Sequence, residues 1–161
     1  MDQITIDSIF KRFDESMPQK YVKKILDARI YDLALETPVE KAPLLSQRFN
    51  NNILLKREDL QPVFSFKVRG AYNKLRCLSD AQRSAGVIAA SAGNHAQGLA
   101  LAAKKMNVNA TIVMPVTTPE IKVDAVRSRG ANVVLIGDNY DAAATHANQL
   151  VQEQGLTYIH P

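Results

Sequence analysis

Val87-Ile88-Ala89-Ala90 runs without interruption into Ser91-Ala92-Gly93-Asn94-His95, and then into Ala96, Leu99, Ala103 and Met106. Four apolar residues with no polar alternation suit a strand covered on both faces. The small-residue turn after them, followed by apolar positions at helical spacing, predicts a strand, a turn and a helix in direct succession. The unit recurs downstream. Apolar runs start at Val87, Thr111, Val133 and Thr157, separated by 22 to 24 residues. Between them lie Ile121, Ala125 and Val126, then Tyr140, Ala143, Ala147 and Leu150, again at helical spacing. Thr117-Thr118-Pro119-Glu120 supplies a cap, a first-turn proline and an early acid, while Gly130 and Gly155 stand where helix-ending glycines belong. Strand–helix units of this length join parallel strands by right-handed crossovers. A doubly wound α/β unit is therefore expected over residues 85–161, with no sequence repeat and no low-complexity segment.

Upstream the pattern is less regular. Val22, Ile25, Leu26, Ile30 and Leu33 form one helical stripe, which Thr37-Pro38 ends because a residue before proline is pushed out of the α region. Ile53-Leu54-Leu55 after three asparagines predicts a short strand. Gln61-Pro62-Val63-Phe64 reads as a loop and Ser65 as an N-cap. The helix after it carries Val68, Ala71, Leu75 and Leu78 on one face and Lys67 on its first turn.

The 161 residues are 46% hydrophobic and 22% charged, a profile of globular proteins. Twenty Lys and Arg against 16 Asp and Glu give a net charge of +4. These charges are scattered and aromatics are sparse, which argues against a nucleic-acid partner. Arg48, Lys56, Arg57, Lys67 and Arg69 do concentrate base near Lys67, a setting for a small anion. Cys77 is the single cysteine, so an internal disulfide is impossible and a reducing, cytoplasmic location is expected. The N-terminus has acid and no apolar core, unlike a signal peptide. No apolar run approaches the ~20 residues that span a bilayer, so no membrane partner is expected. His95, His146, His160 and one cysteine have no metal-ligand spacing.

In open α/β sheets ligands gather beyond the carboxyl ends of strands. The Ser91–His95 turn lies at a strand's C-end and a helix's N-end together, where unpaired N–H groups favour a carboxylate or phosphate. Gly93 lets a ligand approach the backbone closely. The turn alone reads more readily as a plain junction with Asn94 as N-cap, and His95 as an ordinary structural histidine. No phosphate-loop lysine and no G-x-G-x-x-G accompanies it. A lysine becomes a nucleophile where burial or neighbouring cations favour its neutral form, and otherwise is a solvated helix residue. Phe64, Phe66 and Arg69 around Lys67 supply a setting of the first kind.

The two segments together carry a resemblance. Lys56-Arg57-Glu58-Asp59-Leu60-Gln61-Pro62-Val63-Phe64-Ser65-Phe66-Lys67-Val68-Arg69-Gly70-Ala71-Tyr72-Asn73 resembles the cofactor-lysine segment of biosynthetic threonine deaminases. These are pyridoxal-phosphate (PLP) enzymes of the tryptophan-synthase-β class. Ser91-Ala92-Gly93-Asn94-His95-Ala96-Gln97-Gly98 resembles their substrate turn, and Met114-Pro115-Val116-Thr117-Thr118-Pro119 a further family segment. The similarity runs from about Ala28 to Pro161. The first motif is highly specific, whereas the second is shared with serine racemases and serine dehydratases.

The resemblance implies a parallel-sheet PLP fold in two lobes, with 1–84 belonging to the large lobe and 85–161 to a nearly whole small one. It implies that Lys67 carries PLP covalently, that Phe66 packs beside the pyridine ring and that Asn94 bonds the ring's phenolic oxygen. Ser91, Ala92, Gly93, Asn94 and His95 would surround the substrate carboxylate, largely through backbone amides. The implied reaction is α,β-elimination of L-threonine to 2-oxobutanoate and ammonia, as in isoleucine biosynthesis. Serine racemases carry a second base, a serine, where this chain has Ala92, which favours elimination over racemisation. A dehydratase of serine or another hydroxy amino acid, or a non-catalytic truncated paralogue, is the alternative.

Full-length members are expected to be homo-oligomers with a glycine-rich phosphate loop, a partner for the pyridine nitrogen and a regulatory domain. None of these lies within the 161 residues. An N-terminal fragment, inactive and without tight PLP binding by itself, is expected. Strands and the Lys67 helix would then lack covering partners and expose apolar surface.

Overall fold

A computed structural model describes residues 17–161. A parallel four-stranded sheet is built from β3 (Val87–Ala90), β4 (Ala110–Met114), β5 (Asn132–Leu135) and β6 (Thr157–Tyr158), in the order β5-β4-β3-β6. Helices α5 (Asn94–Met106), α6 (Glu120–Arg127) and α7 (Tyr140–Gln154) alternate with these strands. Each strand begins within one residue of its expected start. The helix-ending glycines are in place, with Gly130 and Gly155 both at positive φ.

Burial on both sheet faces explains the unalternating apolar runs. Val87 and Ala89 of β3, with Ile112 and Met114 of β4, join one core with Leu99 of α5 and Val123 and Val126 of α6. Ile88 and Ala90 of β3 and Val113 of β4 point the other way, into a core closed by Ala143 and Ala147 of α7. All four β3 residues are fully buried. Each large apolar side chain so enclosed contributes about 1.5–3 kcal/mol.

Upstream lie α1 (Met17–Asp27), an antiparallel pair of β1 (Val39–Lys41) and β2 (Leu54–Lys56), α2 (Pro43–Arg48), α3 (Lys67–Arg76) and α4 (Asp80–Ala85). The helical stripe expected through Leu33 ends at Asp27, and a single 3-10 turn covers Ile30–Asp32. Tertiary contacts win over periodicity there: the Tyr72 hydroxyl donates to Asp32 Oδ2 at 3.4 Å, and Ala34 is buried against Val63 and Val68. The cap expected at Thr117–Thr118 does not form either. Pro119 occupies the N-cap position without a side-chain bond, and Thr117 Oγ1 donates instead to the Asp138 carbonyl. β1, α2 and α4 were not foreseen, although Ser79 and Gln82 make a full capping box for α4.

Exposed apolar surface is present as expected on β1 and β2, where Val39, Leu54 and Leu55 all face solvent. The Lys67 helix departs from that expectation. Val68, Ala71, Tyr72 and Leu75 of α3 are buried, and Ala71, Tyr72 and Leu75 share the principal core with α5 and β3. Among the described residues, no helix is long and apolar enough to cross a membrane, and no cluster of His, Cys, Asp and Glu could hold a metal. The Cys77 thiol is exposed.

Candidate active site

The sheet order makes the location. From β3 the chain steps to β4 and β5 on one side, then returns through α7 to β6 on the other side of β3. Beyond the C-ends of β3 and β6 the strand order therefore reverses, which is where open α/β sheets place their ligands. The Ser91–His95 turn leaves β3 there, and Ile159, His160 and Pro161 leave β6 beside it. The two exits are tied together. His95 Nε2 donates to the Ile159 carbonyl at 3.1 Å, while the Ile159 amide donates to the Ile88 carbonyl at 2.8 Å.

A carbonyl only accepts, so Nε2 carries a proton. Burial pushes the His95 pKa down; the Ile159 carbonyl opposes this, and the positive charge of Lys67 and of His160 adds to it.

A third element brings the amine. α3 starts at Lys67, and its N-cap is Phe66, with no side-chain cap bond, not Ser65 as expected; Ser65 Oγ instead accepts from the Lys67 backbone N–H at 3.3 Å. Lys67, Gly70, Ala71 and Lys74 fall on one helical face. Together with Phe66, His95 and the residues leaving β6, they line a cavity of about 420 Å³. That volume lies in the range of small-molecule sites. No Asp or Glu side chain lines it. Lys67 Nζ sits 5.7 Å from the centre of the Phe66 ring. Among the described residues Nζ has no hydrogen-bond or ion-pair partner.

Three of the expected site residues, Phe66, Lys67 and His95, thus share one cavity. Ser91, Ala92, Gly93 and Asn94 do not line it; they form the turn on its border, half-buried except for exposed Asn94. Asn94 is the first helical residue and not the cap. Gly93 holds the cap position, with no side-chain hydrogen bond to the helix start. By contrast Asn139 caps α7 through Ala142 N–H at 3.0 Å. The first amides of α5 therefore remain available to an anion.

The cluster of base expected to receive that anion is a correction. Arg69 Nε and Nη2 reach the two carboxylate oxygens of Glu58 at 2.7 and 2.8 Å, and Nη2 also donates to the Leu35 carbonyl. Arg57 pairs with Glu40 and Asp59, and Lys56 Nζ bonds the Thr37 carbonyl. Their charges are answered within the fold. Glu58 also accepts from Thr37 Oγ1 at 2.6 Å, and buried Gln61 bridges both backbone groups of Leu35. The Arg69 guanidinium holds the Glu58 carboxyl at about 2, far below its ordinary 4.5, against the opposing effect of burial. This hub braces the loop that delivers Lys67. Sequence reading missed it, because Glu58 and Arg69 sit on different elements, the 3-10 turn Glu58–Leu60 and α3.

Comparison with known proteins places the site in a family. Residues 30–161 match the model for the pyridoxal-phosphate dependent enzymes. The chain is 54% identical over 142 residues to the biosynthetic, chloroplastic threonine dehydratase 1 of Solanum lycopersicum, covering 88% of this chain and 23% of that protein. It is 55% identical over 144 residues to the biosynthetic L-threonine dehydratase IlvA of Burkholderia multivorans, covering 88% of this chain and 28% of that one. It thus spans about a quarter of the length of these relatives. Among solved structures, the processed form of threonine deaminase isoform 2 from Solanum lycopersicum superposes with a TM-score of 0.85 at 50% identity, covering 98% of this chain and 43% of that one. Maize serine racemase superposes at 0.82 with 32% identity, covering 87% and 43%. With this sheet order, this amine-bearing cavity and these matches, the chain belongs to the pyridoxal-phosphate dependent enzymes, in the parallel-sheet fold of the tryptophan-synthase-β type.

Proposed function

We propose that this chain carries the amine and the substrate turn of an enzyme that converts L-threonine to 2-oxobutanoate and ammonia. The observation that carries the reading is the shared cavity of Lys67, Phe66 and His95, with the open α5 N-terminus at its border.

The donor set fits PLP: an amine without a partner among the described residues, an aromatic ring beside it, backbone amides for an anion and no competing Asp or Glu side chain. Lys67 would hold the cofactor, Phe66 would pack beside it, and Asn94 on the bordering turn would bond its ring oxygen. When bound, PLP supplies an electron sink for the carbanion at Cα.

The chain's own groups do the remainder. The first amides of α5, at Asn94 and His95, receive the substrate carboxylate, worth about 0.3–1 kcal/mol and up to ~2 when partly buried. Lys67 Nζ, released as the substrate amine would take its place, would take the Cα proton, and the β-hydroxyl would depart as water with that proton. Hydrolysis returns that water and releases ammonia, so the net change is deamination. Ala92 has no acid or base to reprotonate Cα from the opposite face, which supports elimination over racemisation. A reducing cytoplasmic location belongs to the same proposal, supported by the lone thiol of Cys77.

The test substitutes these residues for the matching segment of the Burkholderia multivorans relative and measures 2-oxobutanoate formed from L-threonine. Turnover that disappears in the Lys67→Ala chimera is expected. A folded chimera that binds PLP yet makes no 2-oxobutanoate, or one that keeps turnover without Lys67, overturns the proposal.

A further inference from the structure

The amine lies 24 to 28 residues before the turn in sequence, and α3 and α5 approach closely at Gly98. A Cβ built on Gly98 would lie 3.2 Å from the Lys67 carbonyl carbon, 3.2 Å from the Val68 nitrogen and 3.3 Å from the Lys67 oxygen. All three are backbone atoms, so no rotamer change relieves the contact. Gly70, on the opposing helix, has nothing within 4 Å of its own Cβ position. Glycine inside a helix costs backbone entropy that alanine does not. At Gly98 it is matched by backbone-to-backbone approach, one helical turn beyond His95.

We propose that Gly98 is a positioning residue, setting the distance between the Lys67 amine and the Ser91–His95 turn by letting the two helix backbones touch. The inference rests on the reading that these two elements serve one ligand. An aldehyde bearing an anion, held at the turn, meets Lys67 as an intramolecular partner, and such encounters are sensitive to displacement well below 1 Å. A methyl at position 98 moves the start of α3 by a few tenths of an ångström and loosens that arrangement.

The probe is pyridoxal 5′-phosphate followed by borohydride, with adducts at Lys67 and Lys74 quantified by peptide mass spectrometry. Lys74 lies on the same helix two turns away and is an internal reference. Gly98→Ala is expected to lower the Lys67-to-Lys74 labelling ratio at least about threefold. The variant Leu150→Ala on α7, in the core on the other face of the sheet that includes no α3 residue, loosens the sheet unit and should leave the ratio unchanged. General loosening would move both variants alike, and an unaltered ratio in Gly98→Ala overturns the inference. A wild-type chain that labels both lysines equally refutes the ligand reading itself. The amide resonances of Lys67 and Val68 then decide: a shift in Gly98→Ala larger than at Ser91–Gly93 upholds the positioning contact, and none refutes it.

Discussion

Acid should unlock the loop that presents Lys67, and the Glu58–Arg69 pair allows the size of the effect to be worked out. Both side chains are mostly covered, 17% and 20% exposed. Glu58 is held at about 2 against an ordinary 4.5. A shift of that size corresponds to roughly 3 kcal/mol at neutral pH, and partial solvent access lowers it to about 2 kcal/mol. Because the folded pKa is depressed, the contribution is complete above pH ~4.5 and disappears as pH falls through about 2. Glu58→Gln keeps the shape but replaces an acceptor oxygen by a donor amide facing Arg69 and Thr37, and leaves the guanidinium without its counter-charge. Urea unfolding followed by circular dichroism should find the variant about 2–3 kcal/mol less stable at pH 7. That gap should narrow steadily below pH 4.5. A gap under about 0.5 kcal/mol at pH 7, within the range of ordinary surface substitutions, or one of constant size down to pH 3, would refute the assignment of the pair as the brace.

Two further outcomes follow from named contacts. His95 is neutral and buried with a depressed pKa, so its contribution is complete above pH ~6.5 and declines as pH falls below that. His95→Gln should cost about 1–3 kcal/mol at pH 7.5 through the lost bond to Ile159, with a smaller deficit at pH 5; an equal deficit at both pH values contradicts the neutral tie. Leu75 is fully buried where α3 meets the sheet core. Leu75→Ala should cost about 2–5 kcal/mol in the same unfolding experiment, and a loss below ~1 kcal/mol would mean that α3 is not seated on that core.

The sheet unit was legible because its signals are local. Val87–Ala90 is apolar at every position since both faces are covered, and Gly130 and Gly155 mark helix ends by their own backbone needs. Where partners are distant in sequence, periodicity misled. The stripe from Val22 to Leu33 reads as one helix, yet Tyr72 and Arg76 hold Asp32 and break it. Arg69 reads as ligand-facing base because its acidic partner, Glu58, lies on another element; Arg57 is answered by Asp59, two residues on, as well as by Glu40 of β1. Lys67 and the turn were visible as chemistry, but their adjacency depends on Gly98 and on the His95–Ile159 bond. Neither contact leaves a mark in sequence spacing.

Those long-range contacts are what turn two motifs into one site. An amine on a helix start serves a ligand on a neighbouring turn only if the relation between them is held to about 0.5 Å. Three ties do this from different directions. Gly98 presses α5 on the Lys67 backbone, His95 fastens the turn to the exit of β6, and Glu58 with Gln61 clamps the loop ahead of Ser65 to Leu35. Each uses a different interaction: van der Waals contact, a buried neutral hydrogen bond and a charged fork. They share no residue, so losses at separated positions should add within about 0.5 kcal/mol in stability. Their effects on Lys67 reactivity should not add. Once any one tie has let the amine drift from the turn, releasing a second has little precision left to remove. A double variant of Gly98→Ala and Glu58→Gln that lowers the Lys67 labelling ratio by the full product of the single effects would show that the ties act independently, and the view of a jointly held amine would be wrong.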